Sequence, residues 1–383
     1  MTVLKLVPRD SGSGLSGSAR LVKTRPEPPA TGPDKLLQEG WLSSRKPTSL
    51  DIAYLAGVSQ ATVSRALRDS KLVSEATRER VKQVARQLNY QIDRNAASLR
   101  SQRTQTLALL IFEDPTSDSS HINPFFLRML GTITRAASRQ GYDLLVSFQQ
   151  LSQDWYTEYE LSNRADGIIL LGYGDYTRFG PKIKGLIDAD AHFVIWGPPI
   201  EERPTSCLGS DNLNGARTAV EHLIGLGRRN IAFVGDTHAG YPEFLARYQG
   251  YQQALEAADL PVDPELQVDG DNQESCGQNA VNQLLDNGKK FDAVFAASDL
   301  IAIGALQALQ ERGLAVPDEV SVVGFDDIPA ASYVSPPLTT VHQDTAQAGR
   351  MLVNNLIAMI NGEEVKSSQI PLELVIRKSC GAG

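Results

Sequence analysis

Hydrophobic and polar positions along the 383 residues follow two different periods. From Thr48 to Tyr90 apolar residues recur every three or four positions, as in Val81, Val84, Ala85 and Leu88, the spacing of a helix with one buried face. Thr48 followed by Asp51 reads as a capping box ahead of Ile52, Ala53 and Ala56. Gly57 ends that helix, and Ser59 and Ser74 are N-cap residues for a second and a third. Beyond about Thr104 the period vanishes. Short, nearly continuous apolar runs replace it: LALLIF, DLLVSF, GIILLG, HFVIWG, NIAFVG, DAVFAA and VSVVGF. Runs of this kind, separated by helical stretches, are strands of parallel sheets covered on both faces. The pattern therefore predicts a small three-helix bundle followed by a doubly wound α/β body in two lobes. Ligands are expected outside the carboxyl ends of its strands.

Residues 1–46 fit neither period. SGSGLSGS and TRPEPPATGP are rich in Gly, Ser and Pro, and a disordered tail is expected there. Gly12, Gly14 and Gly17 satisfy G-x-G-x-x-G, but Pro-rich sequence follows instead of a helix, so no phosphate loop is predicted.

Composition narrows the class. Apolar residues make up 42% and charged residues 21% of the chain, ordinary values for a soluble globular protein. No stretch approaches the roughly 18 apolar residues of a membrane helix. The apolar run in MTVLKLVPRDSGSG is too short for a signal peptide. The three cysteines (Cys207, Cys276 and Cys380) match no ligand spacing and suit a reducing compartment. A cytoplasmic protein, associated with the nucleoid if it binds DNA, is expected.

Charge changes the picture more. The net value of −8 conceals a division: residues 45–104 carry +7 and residues 105–383 carry −17. A small basic module on a large acidic body is the asymmetry of a nucleic-acid-binding head. In AGVSQATVSRAL (residues 56–67), Gly57 takes the tight turn between two helices, while Val63 and the preceding Ala53 fill their crossing. Gln60, Ala61 and Arg65 are left on the outer face near the N-terminus of the second helix, which is of a size to enter a major groove. Arg65 suits a guanine O6/N7 edge, Gln60 an adenine or mixed edge, and Ala61 a thymine methyl. Ser59, Thr62 and Ser64 are short hydroxyl donors for DNA phosphates. The competing reading is a three-helix interaction module with a solvated face; the basic charge favours DNA.

The same residues resemble a known family. TSLDIAYLAGVSQATVSRALRDSKLVSEATRERVKQVARQLNYQIDRNAASLRS is similar to the N-terminal domain and hinge of the lactose-repressor/galactose-repressor (LacI/GalR) bacterial transcription factors. The likeness continues through HINPFF, SDNLNGARTAVEHLIGLGRRNIAFVG, RYQGYQQAL, AASDLIAIGALQALQERGLAVPDEVSVVGFDD and PPLTTVHQD. The resemblance implies an all-α helix-turn-helix head (47–90) and a hinge helix (91–104). They precede a periplasmic-binding-protein-like body whose first lobe is 105–209 with 344–368 and whose second is 210–343 with 369–383. It implies a homodimer on a pseudo-palindromic double-stranded DNA operator, controlled by a small molecule in the interlobe cleft, with a sugar or sugar derivative first by family frequency. Within DRNAASLRS, Leu99 matches the apolar minor-groove wedge, and Ala96 and Ala97 the residues that pack hinge on hinge.

For the cleft the resemblance implies ligand contacts at Arg247, in RYQGY, and Asp326, in GFDD. The alternative for this pair is a structural ion pair. Phe125 and Phe126 are either apolar pocket lining or plain core. Two positions depart from sugar-binding relatives: Asn272, where an aromatic is frequent, and Ser298, where Asn is frequent. Trp196, Tyr173 or Tyr241 would then supply a stacking face. No leucine-rich tetramerisation tail follows LELVIRKSCGAG, which points to a dimer.

Two other classes compete with a ligand-gated regulator. A solute-binding protein needs an export signal and no DNA-binding head, the reverse of what the chain shows. An enzyme needs a site, and H-E-x-x-H, G-x-S-x-G, P-loop and cysteine-cluster motifs are all missing. The histidines (His121, His192, His222, His238 and His342) are scattered. No cofactor, metal or catalytic residue is expected.

Overall fold

A helix ends at Gly57 because the chain there turns through φ 63°, left-handed backbone that glycine enters without steric cost. This computed structural model describes residues 3–7, 20–24, 47–90, 103–111, 122–148, 154–172, 176–199, 207–366 and 368–382. It divides into two units, Met1–Ala97 and Ser98–Gly383.

In the first unit α1 (Ser49–Ala56), α2 (Gln60–Leu67) and α3 (Glu75–Gln87) follow one another through short turns. The caps are those the sequence predicts. The Thr48 N–H and hydroxyl both donate to Asp51 Oδ2, at 2.8 and 2.7 Å. Ser59 Oγ accepts from the Thr62 N–H, and Ser74 Oγ from the Thr77 N–H. Ile52, Ala53, Ala56, Val63, Ala66, Val73, Val81, Ala85 and Leu88 form the core. Val84 lies half-buried beside it.

Residues 1–46 differ from expectation at two places. β1 (Val3–Val7) and β2 (Arg20–Thr24) pair antiparallel, with Val3 opposite Thr24 and Val7 opposite Arg20. VLKLV and RLVKT are short β-prone runs whose signal is diluted by the Gly, Ser and Pro around them.

The second unit holds two six-stranded sheets. The first comprises β3 (Thr106–Ile111), β4 (Asp143–Phe148), β5 (Gly167–Leu171), β6 (Phe193–Trp196), β7 (Cys207–Ser210) and β13 (Ser368–Ile370). Its spatial order is β13-β7-β6-β5-β3-β4, all parallel. Its helices are α4 (Pro124–Arg139), α5 (Tyr176–Asp188) and α10 (Thr345–Ile360). The second comprises β8 (Ile231–Val234), β9 (Gln267–Val268), β10 (Ala293–Ala296), β11 (Ser321–Asp326), β12 (Thr339–His342) and β14 (Glu373–Val375). Its order is β14-β12-β11-β10-β8-β9, parallel except for β14, which runs antiparallel to β12. Its helices are α6 (Asn212–Gly225), α7 (Pro242–Ala257), α8 (Glu274–Asp286) and α9 (Asp299–Glu311).

The continuous apolar runs have the cause the sequence suggests. In β3, Leu107, Leu109 and Ile111 enter one core while Ala108 and Leu110 enter another on the opposite face of the sheet. Neither face meets water, so alternation disappears. Helices α8 and α9 cross at Gly277 and Gly304. A Cβ on Gly304 would lie 1.7 Å from the Glu274 carbonyl oxygen, so only hydrogen fits there.

The chain passes between the sheets three times: after Ser210, after His342 and after Ile370. The last crossing lies later than the expected one near Gln369. Ser368, Gln369 and Ile370 pair with Leu208, Gly209 and Ser210 and so extend the first sheet.

Candidate DNA-reading helix and ligand cleft

Helix α2 presents two faces. Val63 and Ala66 are buried against α1 and α3, while Ala61 and Arg65 are exposed. Gln60 is half-buried, and its Nε2 donates to Ser49 Oγ on α1 at 2.8 Å. Ala61 and Arg65 stand four residues apart, on one side of the helix. The expected phosphate donors are engaged locally: Ser59 and Thr62 share a 2.9 Å hydroxyl contact, and Ser64 Oγ accepts from Arg68 Nη2 at 2.9 Å. Each hydroxyl keeps further hydrogen-bonding capacity for a phosphate. The turn after α2 is tied to α3 through Lys82, which donates to Asp69 and holds that carboxyl below the usual range. Ala96, Ala97 and Leu99 lie outside the described residues, as does Tyr173.

In the body, a cavity of about 360 Å³ opens where the first two crossings meet the carboxyl ends of the strands. Trp196, Pro198, Pro199 and Pro242 give it an apolar side. Ser210, Asn212, Glu243, Arg247, Gln343 and Gln369 give it a polar one. β6 and β7 bring Trp196 and Ser210, the starts of α6 and α7 bring Asn212 and Glu243, and β13 brings Gln369.

Arg247 organises the polar side. It is fully buried, with its guanidinium carbon 3.7 Å from the centre of the Phe325 ring and 5.2 Å from that of Phe244. Nε donates to Asn212 Oδ1 at 2.9 Å, Nη1 donates to the Ala297 carbonyl, and Nη1 is 3.5 Å from Asp326 Oδ1. Asp326 also accepts from Gln343 Nε2 at 2.7 Å. Both readings of the Arg247–Asp326 pair therefore meet in one place: a buried ion pair whose arginine borders a cavity.

Asp326 and Asp327 have φ of 113° and 54°, an arrangement that costs a non-glycine residue about 1–3 kcal/mol where it is held. The surroundings hold it. Asp327 accepts from Arg377 Nη2 at 2.6 Å and contacts His342 Nδ1 at 2.8 Å, while its carbonyl accepts from Arg128 Nη1 of α4 at 3.0 Å. That last bond joins the two lobes. Behind the pair, fully buried Asp299 accepts from the Thr340 hydroxyl and the Ile328 N–H. Burial, then repulsion from Asp326, pushes its carboxyl well above the ordinary range.

The remaining expected contacts are placed differently. Phe125 and Phe126 are buried in the first lobe, and Phe125 packs 6.1 Å from the Trp196 ring, so they support the cavity wall from behind. Ser298 is fully buried as the N-cap of α9, its Oγ accepting from the Ile301 N–H. It does not line the cavity. Asn272 follows β9 outside the cavity wall, and Tyr241 precedes α7 half-buried. Sequence reasoning missed Ser210, Asn212, Glu243 and Gln369 as lining. The available signal was SDN at a strand-to-helix junction, the position where α/β sheets take ligands.

Among the described residues no group of three or more His, Cys, Asp or Glu is arranged to hold a metal ion, and no helix is long and apolar enough to cross a membrane.

Residues 48–93 match the family described as bacterial regulatory proteins, lacI family, and residues 220–380 match the periplasmic binding protein-like domain. The chain is 36% identical over 344 residues to the HTH-type transcriptional regulator CelR of Thermobifida fusca, covering 88% of this chain and 98% of the relative. A solved structure described as a transcriptional regulator CelR–cellobiose complex aligns with TM-score 0.63 and 33% identity, over 87% of this chain and 99% of that one. The lac repressor dimer bound to operator and the anti-inducer ONPF aligns with TM-score 0.73 and 26% identity, over 88% and 99%.

Proposed function

The chain belongs to the lacI family of bacterial regulatory proteins, DNA-binding transcriptional regulators under ligand control and not enzymes, and on that premise we propose a sugar-responsive repressor acting as a homodimer. Two heads grip a pseudo-palindromic operator in the cytoplasm, at the nucleoid, with half-site spacing that mirrors the two-fold axis. Arg65, Ala61 and Gln60 read base edges in the major groove, and Ser59, Thr62 and Ser64 hold phosphates. Leu99 wedges the minor groove at the operator centre, with Ala96 and Ala97 packing the paired hinges.

The effector occupies the cavity bordered by Trp196 and Arg247, with Asp326 orienting the guanidinium. The cellobiose held in the solved CelR complex makes a neutral saccharide the first candidate. A sugar that prefers one lobe arrangement shifts operator affinity by its differential affinity for the two arrangements.

One observation carries the DNA reading: Arg65 stands exposed on a capped helix whose other face is fully committed to the bundle core. Arg65→Ala is expected to weaken binding to the cognate operator by about 1–3 kcal/mol and to relax preference at one base position. The check is operator selection followed by titration of single-base variants. Equal loss on every sequence would show that Arg65 meets phosphate only.

A further inference from the structure

Protein interiors rarely leave a polar atom without a partner, and such atoms mark where something else is meant to bind. In the body, Asn123 Nδ2, Ser210 Oγ and Asn272 Oδ1 are each buried and reach no hydrogen-bond partner. They share a place in the topology. Asn123 caps α4 after β3, Ser210 is the last residue of β7, and Asn272 follows β9. All three therefore sit beyond the carboxyl ends of parallel strands, the side on which such sheets take ligands. Ser210 is only 5% exposed and borders the cavity directly. Asn123 is two residues from Phe125, which backs the cavity's Trp196.

The chemistry of the set is mixed. One atom donates, one accepts, and the serine hydroxyl does both. Ligand hydroxyls also do both, so a hydroxyl matches Ser210 Oγ in either direction, whereas a phosphate or carboxylate only accepts. Charge points the same way. The positive ends of α6 and α7 open on the cavity, where an anion would ordinarily settle. The chain's own carboxylates already stand there. Asp211 accepts from the Asn214 N–H as the α6 cap, and Glu243 lies in the first turn of α7. Among the described lining residues, the guanidinium of Arg247 is matched by Asp326.

We infer that the cavity takes an uncharged polyhydroxylated ligand, excludes its phosphorylated form, and reads one ligand hydroxyl through Ser210 Oγ. The inference rests on the effector reading above and adds to it the exclusion of the phosphorylated form and a specificity-determining residue. Ser210 reaches the ligand by turning between staggered rotamers into the cavity it lines.

The test uses the full-length protein, with cellobiose, maltose, glucose, glucose 6-phosphate and hypoxanthine as probes in thermal-shift and calorimetric titrations. At least one neutral saccharide is expected to raise the melting temperature, with glucose 6-phosphate and hypoxanthine inert. Ser210→Ala is expected to weaken that saccharide about 2- to 12-fold, the worth of one net hydrogen bond. The same change should raise the unliganded melting temperature by roughly 2–4 °C, because it removes a buried hydroxyl without a partner. A merely structural serine would lower it. The inference is overturned if only the phosphorylated sugar or the nucleobase binds, if no probe binds, or if Ser210→Ala binds the saccharide unchanged. Operator binding in the same preparations separates the two readings. Selective DNA binding without response to any probe refutes this inference alone, and loss of sequence selectivity refutes the regulator.

Discussion

Replacing Arg247 by Met tests whether the cleft is organised around a buried charge pair. The change keeps an unbranched side chain between Phe244 and Phe325 and removes the guanidinium 3.5 Å from Asp326 Oδ1. Asp326 keeps its bond from Gln343 Nε2 but loses the opposite charge, at 2% exposure. Removing one partner of a buried ion pair costs about 3–5 kcal/mol. For a unit of this size each kcal/mol moves the midpoint roughly 2–4 °C, so a fall of about 6–20 °C is expected. The assay is thermal unfolding of the full chain followed by near-ultraviolet circular dichroism, which reports the body because most of the chain's aromatic residues lie in it. A double variant, Arg247→Met with Asp326→Asn, removes both charges and should recover most of the loss, because the stranded carboxylate causes it. DNA binding at low temperature should persist while the response to effector disappears. A single variant melting within about 1 °C of the parent, or a double variant no better than the single, would refute the buried-pair account.

Gly304→Ala places a methyl 1.7 Å from the Glu274 carbonyl, so a loss of about 1–3 kcal/mol or more is expected despite better helix propensity. Gly131→Ala on α4 meets open space and should instead gain about 0.4–1 kcal/mol; equal effects in chemical denaturation would contradict the close crossing. Arg128→Ala deletes the lobe-joining bond to the Asp327 carbonyl, and hydrogen exchange in peptides covering residues 326–332 should speed up roughly two- to tenfold, unchanged exchange counting against the bond. Asp299 has a raised value in the fold, so its contribution to stability is complete below the ordinary carboxylate value of 3.8 and is lost as pH rises through the raised one. The melting-temperature advantage of the parent over Asp299→Asn should therefore shrink from pH 4 to pH 8, and a flat difference would refute the raised value.

Elements were legible wherever a local rule decides them. Thr48, Ser59 and Ser74 announce helix starts because a hydroxyl or carboxylate must satisfy orphan N–H groups, and Gly57 announces a stop. The strands announce themselves because both faces are buried. The cleft was legible only in part. Trp196 and Arg247 stood out by type, but Ser210, Gln343 and Gln369 come together only once the chain has crossed between sheets. No local period records that event. Ser298 shows the converse difficulty: a serine between strand and helix reads equally as ligand contact and as N-cap, and burial decides for the cap. The third crossing was placed early because β13 is three residues long, too short for a pattern to form.

The three passages between sheets also bear on how the chain matures. The first lobe begins at β3 yet is covered by α10 and edged by β13, so it stays incomplete until Ile370 has left the ribosome. The second lobe lies wholly inside that interval apart from β14. Synthesis should therefore expose the apolar flank of β5 and β6, where α10 later docks, for most of translation. Truncation anywhere between Gln343 and Ile370 should leave a nascent protein that chaperones hold and proteases clear, with the DNA-binding bundle at its front already complete.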